Sequence, residues 1–165
     1  MAGLPGTGKS TIARELAARV GGIVLDKDQI RAALFATRDI QYSTEQDDFV
    51  MDVMLQLARY IHQHDSARRI FIDGRPFARR HQLDYVIARA KEMGAEWKIL
   101  ECVCSEQSAR RRLESDSGEH PAANRTFELY QRVKTEFEPI TLPKFVLDTD
   151  QSLEACMKTA LHAIA

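Results

Sequence analysis

Gly3-Leu4-Pro5-Gly6-Thr7-Gly8-Lys9-Ser10 has the spacing G-x-x-x-x-G-K-[ST], a pattern of residue types suited to gripping phosphate. Its glycines let the backbone curl until successive N–H groups converge on an anion. Lys9 can reach the β- and γ-phosphates of a nucleoside triphosphate, and the Ser10 hydroxyl can hold Mg²⁺. Leu4, Pro5, Gly6, Thr7, Gly8, Lys9, Ser10 and Thr11 are therefore the candidate nucleotide cradle, with ATP and Mg²⁺ as the implied ligands. Ile12, Leu16 and Val20 follow at helical spacing and stop at Gly21-Gly22. A helix thus starts in the loop, with its positive end at the anion.

Three further groups have residue types that complement a phosphate site. Asp28 and Arg31 follow the apolar run Ile23-Val24-Leu25 and so arrive at the carboxyl edge of a sheet. A carboxylate there can accept the proton of a substrate hydroxyl, and an arginine one turn on can steer substrate. On the residues alone the favoured role of Asp28 is the N-cap of the next helix, and the two roles are compatible. Asp73 ends Ile70-Phe71-Ile72 and, with Ser10, could serve the Mg²⁺ shell. Arg75, Arg79 and Arg80 follow on the same edge, either facing an acceptor or forming a solvated charged face. Arg110-Arg111-Arg112 lead into the polar stretch 115–124, with Arg125 just beyond. That is the place for a lid, about 112–126, whose cations close over phosphates and exclude water. Three consecutive helical residues cannot all point inward, and Arg112 is the choice, with Leu113 anchoring the opposite face. His62 and His64 do not share a helical face, so the histidines suggest no metal site, and His120 falls in the lid.

These residues need elements to carry them. The chain has 165 residues, 44% hydrophobic and 28% charged, with a net charge of −1, as expected for one domain spanning 1–165. Near-neutral charge argues against coating long nucleic acid, although a short oligonucleotide end stays open as a substrate. No apolar run approaches the ~20 residues of a membrane span. Three cysteines without metal spacing, and no signal peptide, point to a reducing cytoplasm. Cys102 and Cys104 alternate on a strand and are expected in the core. Strands at 23–25, 69–73, 97–103 and 145–148 alternate with helices, which predicts a parallel sheet covered on both faces. Ser43 with Gln46 resembles a capping box opening a long helix, whose apolar positions are Phe49, Val50, Val53, Met54, Leu57 and Ile61. Only Met1 and Ala2 precede the phosphate loop, so the strand that should deliver it is missing or truncated, leaving its neighbours unpaired.

With these residues in view, the chain resembles the small bacterial P-loop kinases often labelled "AAA family ATPase" or "predicted kinase". They are similar to polynucleotide 5′-hydroxyl kinase, chloramphenicol phosphotransferase and the zeta-toxin kinases. The likeness rests on G-L-P-G-T-G-K-S-T at 3–11, D-x-x-R at Asp28 and Arg31, Asp73 after its strand, and R-R-L at 111–113. It implies a three-layer αβα P-loop NTPase fold with a parallel sheet of order 2-3-1-4-5 and a small helical lid. It implies ATP and a hydroxyl-bearing acceptor as partners, with Asp28 as general base and Arg31 on the acceptor. Relatives often have a second arginine four residues after the one matching Arg112; this chain has Asp116 there, and Arg125 is the implied substitute. The competing reading is a nucleotide-dependent switch or weak ATPase with no acceptor; the guanine-reading N-K-x-D is absent.

Overall fold

A computed structural model describes residues 1–115 and 125–165. Helix α1 (Lys9–Val20) starts on the phosphate loop and ends at Gly21, whose left-handed backbone returns its N–H to the Ala17 carbonyl. Ile12, Ala13, Leu16 and Ala17 form its buried face, whereas Val20, expected inward, is exposed at the last turn. Strand β1 (Ile23–Asp26) leads through α2 (Lys27–Leu34) and a short 3₁₀ turn at Thr37–Asp39 to α3 (Thr44–His64). Strand β2 (Ile70–Asp73), α4 (Arg80–Glu92), β3 (Leu100–Val103) and α5 (Glu106–Ser115) follow. After α6 (Phe127–Glu136), strand β4 (Phe145–Asp148) and α7 (Leu153–Ile164) complete the chain.

Both strand pairs are parallel: β1 lies on β2 with Ile23 opposite Ile70 and Asp26 opposite Asp73, and β3 lies on β4 with Leu100 opposite Phe145. The expected gap between the pairs is where Met1 and Ala2 run. The Met1 ammonium donates to the Ile72 carbonyl at 2.8 Å. On the other side the Ala2 N–H bonds the Leu100 carbonyl, and the Ala2 carbonyl accepts from Cys102 N–H. With these two residues counted as the first strand, the order is the 2-3-1-4-5 implied by the resemblance. Below Met1, β2 and β3 are separated by a cavity of about 560 Å³ lined by apolar groups such as Phe71, Phe77, Trp97 and Ile99.

The alternating pleat divides the core between the two faces. Phe71, Leu100, Cys102 and Leu147 meet α1 and α7 through Ile12, Leu16 and Met157. Leu25, Ile70, Ile72 and Ile99 meet α3 and α4 through Val50, Met51, Met54 and Leu83. Helix α3 differs from its expected phase: Val50, Met51, Met54, Leu55 and Ala58 are buried, while Phe49 and Leu57 face solvent. The helix has apolar residues around much of its girth, and packing on β1 and β2 selects the stripe. Ser43 caps α3 by accepting from Gln46 N–H, but the Gln46 side chain reaches Gln41 N–H and the Asp39 carbonyl, so the reciprocal half of a capping box is not made. Cys102 is buried as expected, whereas Cys104 lies past the strand end, half-buried beside the Ala109, Leu113, Phe127 and Tyr130 cluster.

Gly3 joins this sheet to the phosphate loop at φ 129°, and a Cβ there would stand 2.2 Å from the Cys102 carbonyl oxygen. Gly3→Ala is expected to cost about 2–4 kcal/mol, from backbone strain plus a clash with immobile backbone. Gly21→Ala has positive φ but open space, and is expected to cost only about 1 kcal/mol. Urea unfolding of the two variants checks the difference.

Candidate active site

The carboxyl ends of the strands open onto a cleft of about 780 Å³. The phosphate loop forms one wall. Gly6 and Gly8 take positive φ of 76° and 81°, so the chain turns into α1 without a Cβ to obstruct it. No side chain caps α1 and its first turn carries no acid, which leaves the positive helix end available to an anion. Lys9 Nζ donates to the Leu4 carbonyl at 2.8 Å, folded against its own loop. Pro5, Gly6, Gly8, Lys9, Ser10 and Thr11 line the cleft. Thr7 and Leu4 do not: the Thr7 hydroxyl is buried on the Leu4 carbonyl, and Leu4 packs toward the α5–α6 cluster.

Asp28 is not the cap of α2. Asp26 is, accepting from Asp28 N–H at 2.9 Å and Gln29 N–H at 3.2 Å. One turn later in the helix, Arg31 Nη1 donates to Asp28 Oδ1 at 2.8 Å, and both residues line the cleft with the phosphate loop. Sequence reasoning missed three groups that hold this pair. Asp47 from α3 accepts from Arg31 Nη2 and from Lys27 Nζ, and the Tyr42 ring lies 5.3 Å from the Arg31 guanidinium carbon. Lys27 adjoins Asp28 in sequence, but sixteen residues separate Arg31 from Asp47, and no local pattern announces that contact.

Asp73 stands behind the cleft, fully buried, and among the described residues neither of its carboxylate oxygens is hydrogen-bonded. An orphaned buried carboxylate next to a phosphate site suits a Mg²⁺ shell, with half-buried Ser10 as the donor lining the cleft. Among the described residues no three His, Cys, Asp or Glu side chains gather around a metal site. A cation held by Ser10 and Asp73 would therefore keep most of its shell from water and phosphate.

The arginines separate into distinct roles. Arg112 is fixed on the loop rim, donating to Thr149 Oγ1 at 2.9 Å, the Thr149 carbonyl at 2.7 Å and the Gly6 carbonyl at 3.4 Å. Leu113 is buried beneath it against Gly6, as expected, while Arg110 stacks 3.8 Å over the Phe127 ring. Arg125 lines the cleft, and its charge disfavours the protonated form of Lys9. Asp116 and His120 lie outside the described residues. Arg75 is buried in the cleft wall on Asp48 at 2.7 Å, and Arg79 lines it while bonding Glu136. Arg80 instead pairs with Asp84 on the exposed side of α4.

A model of the AAA domain family matches residues 1–140. The chain belongs to this AAA domain family. No curated protein matches it. Solved structures do. Over 99% of this chain and 88% of its own, a gluconokinase from Sinorhizobium meliloti 1021 superposes with a TM-score of 0.70 at 15% identity. APS kinase of Mycobacterium tuberculosis, in complex with AMPPNP and APS, gives 0.73 at 16% identity over 99% and 94%. A sugar kinase from Janibacter sp. HTCC2649 gives 0.67 at 19% over 99% and 91%. This family member therefore has the αβα P-loop kinase fold. No helix among the described residues is long and apolar enough to cross a membrane.

Burial pushes the Lys9 pKa below that of an ordinary lysine, with the Asp73 charge opposing the shift. Phosphate favours the ammonium, so bound nucleotide raises the Lys9 pKa again, and affinity falls as pH rises through the range in which Lys9 of the free chain loses its proton. ATP affinity is expected to decline at pH values where a solvated lysine is still charged, with calorimetric proton uptake. Lys9→Arg removes that slope. If Asp73 serves a Mg²⁺ shell, the native chain is expected to bind ATP more tightly with Mg²⁺, and Asp73→Asn is expected to fold and to lose most of that gain. Isothermal titration reads both results.

Proposed function

We propose that this chain is an ATP-dependent phosphotransferase that moves the γ-phosphoryl group of Mg-ATP to a hydroxyl of a small molecule or a nucleic-acid 5′ end. The observation that carries this reading is the division of labour between two aspartates. Asp26 caps α2, so the Asp28 carboxylate has no capping duty and lies with Arg31 on the cleft that holds the phosphate loop. A nucleotide switch has no use for an acceptor-side carboxylate and arginine. The names of the structural neighbours, a gluconokinase, an APS kinase and a sugar kinase, support the same reading.

In this proposal the loop amides and Lys9 neutralise the phosphates, Lys9 exchanging the Leu4 carbonyl for a phosphate oxygen. Ser10 and Asp73 hold Mg²⁺, which supplies charge neutralisation on the phosphate oxygens. Asp28 accepts the acceptor's hydroxyl proton, that oxygen bonds to the γ-phosphorus, and the bond from phosphorus to the bridging oxygen of ADP breaks. Arg31 orients the acceptor. Arg112 braces the loop rim, and Arg125, whose charge already reaches Lys9, closes over the transferring group. Positioning and electrostatic stabilisation dominate such a reaction.

Labelled γ-phosphate from Mg-ATP, offered to pooled nucleosides, 5′-hydroxyl oligonucleotides, sugars and hydroxyl-bearing antibiotics, tests this reading. The native chain is expected to label one pool. Lys9→Ala abolishes the transfer, and Asp28→Asn lowers it by about 10²–10⁴-fold while ATP affinity is retained. Label released only as inorganic phosphate, whatever the acceptor, would establish a switch or ATPase instead. Equal loss of transfer and ATP binding in Asp28→Asn would overturn the assignment of the base.

A further inference from the structure

Among the described residues, Asp28 and Arg31 belong with Lys27 and Asp47 to a group of four charges, only part of which the proposed chemistry uses. Lys27, Asp28 and Arg31 project from α2, and Asp47 comes from the first turn of α3. The cations are the buried members: the side chain of Arg31 is 2% exposed and that of Lys27 is 7% exposed. Two carboxylates balance two cations, as burial requires. A single oxygen of Asp47 takes both Lys27 Nζ, at 2.9 Å, and Arg31 Nη2. Among the described residues Arg31 Nε has no hydrogen-bond partner and is sealed from solvent, so the guanidinium is held there through its two terminal nitrogens, with the Tyr42 ring beside it.

We propose that Asp47 is a positioning residue: its cross-helix bridge to Lys27 and Arg31 sets the geometry in which Asp28 meets the acceptor. This rests on the phosphotransferase reading. The pair Asp28–Arg31 is three residues apart on one helix, and that contact alone does not fix where a long arginine side chain lies. The anchor on α3 does, because it pulls the far terminal nitrogen toward a second, rigidly packed helix. Without Asp47, Lys27 Nζ and Arg31 Nη2 would lose the carboxylate they share, and the Asp28–Arg31 contact would have no anchor outside α2.

The test combines kinetics with a signal from Arg31 itself. Transfer of label to whichever pooled acceptor the native chain uses is measured for Asp47→Asn and Asp47→Glu. Titration with AMPPNP reads the nucleotide site, and the ¹⁵N-resolved Nε–H resonance of Arg31 reads the anchor. Asp47→Asn is expected to lower kcat about 10²-fold, the effect of a misplaced reacting group. AMPPNP affinity should stay native, and the Arg31 resonance should lose its protection from exchange. Asp47→Glu keeps the charge but moves it by one methylene, so it recovers most of kcat and the protection. Native kcat in Asp47→Asn, or a kcat loss matched by lost AMPPNP binding, would overturn the proposal. Should Asp47→Asn fail to fold, Asp47→Glu decides: native kcat with a displaced Arg31 resonance overturns it, and a partial kcat loss with native AMPPNP binding supports it. A native chain that labels no acceptor would overturn the phosphotransferase reading instead; the Arg31 resonance would then judge the anchor separately, and an unchanged signal in Asp47→Asn would refute it.

Discussion

The site depends on one backbone register. Because β1 and β2 run parallel with Asp26 opposite Asp73, both strands end level and deliver their carboxylates to the same edge. From there the two aspartates diverge. Asp26 turns back to cap α2 and fixes where that helix begins, while Asp73 is buried beside the phosphate loop with no hydrogen-bond partner among the described residues. Gly74 shows how close the two chain ends lie: its φ is 90°, and a Cβ would stand 2.8 Å from Lys27 backbone nitrogen. A one-residue slip of β2 would turn its side chains to the opposite faces of the sheet and remove Asp73 from the loop.

Holding charge at that edge is expensive unless every charge is answered. The buried arginines of this edge are answered from α3. Consecutive acids in its first turns diverge to two buried arginines, Asp47 to Arg31 and Asp48 to Arg75. The same helix packs Val50, Met51 and Met54 into the core one turn later. Core packing and cleft electrostatics are thereby tied to one rigid element, and α3 cannot shift without displacing both arginines.

What the sequence made legible follows from how far each feature reaches along the chain. The phosphate loop, Asp73 and the Asp28–Arg31 pair are local patterns of four to eight residues, and each lies where strand-and-helix alternation places it. The capping ambiguity at Asp28 was itself local, yet choosing Asp26 instead required backbone geometry that no spacing encodes. Asp47 on Arg31 and Thr149 under Arg112 join residues sixteen and thirty-seven positions apart, so only the packed fold reveals them. The phase of α3 was obscured for a different reason. Phe49 and Leu57 are as apolar as Met51 and Leu55, and periodicity alone cannot tell a core stripe from an exposed one.

The two halves of the cleft stabilise their cations differently, and that difference is functional in kind. On the phosphate side, Lys9 and Arg112 rest on neutral backbone carbonyls of Leu4, Gly6 and Thr149. A carbonyl is a weak partner for a cation and yields readily to a phosphate oxygen, so these groups keep most of their charge available to an incoming anion. On the other side, Lys27, Arg31, Arg75 and Arg79 are each matched to a carboxylate. Those cations are nearly neutralised before any ligand arrives, and they act through direction and hydrogen bonding more than through net field. Such a cleft is suited to a polyanion at one end, and in the proposed phosphotransfer its other end would orient the acceptor hydroxyl.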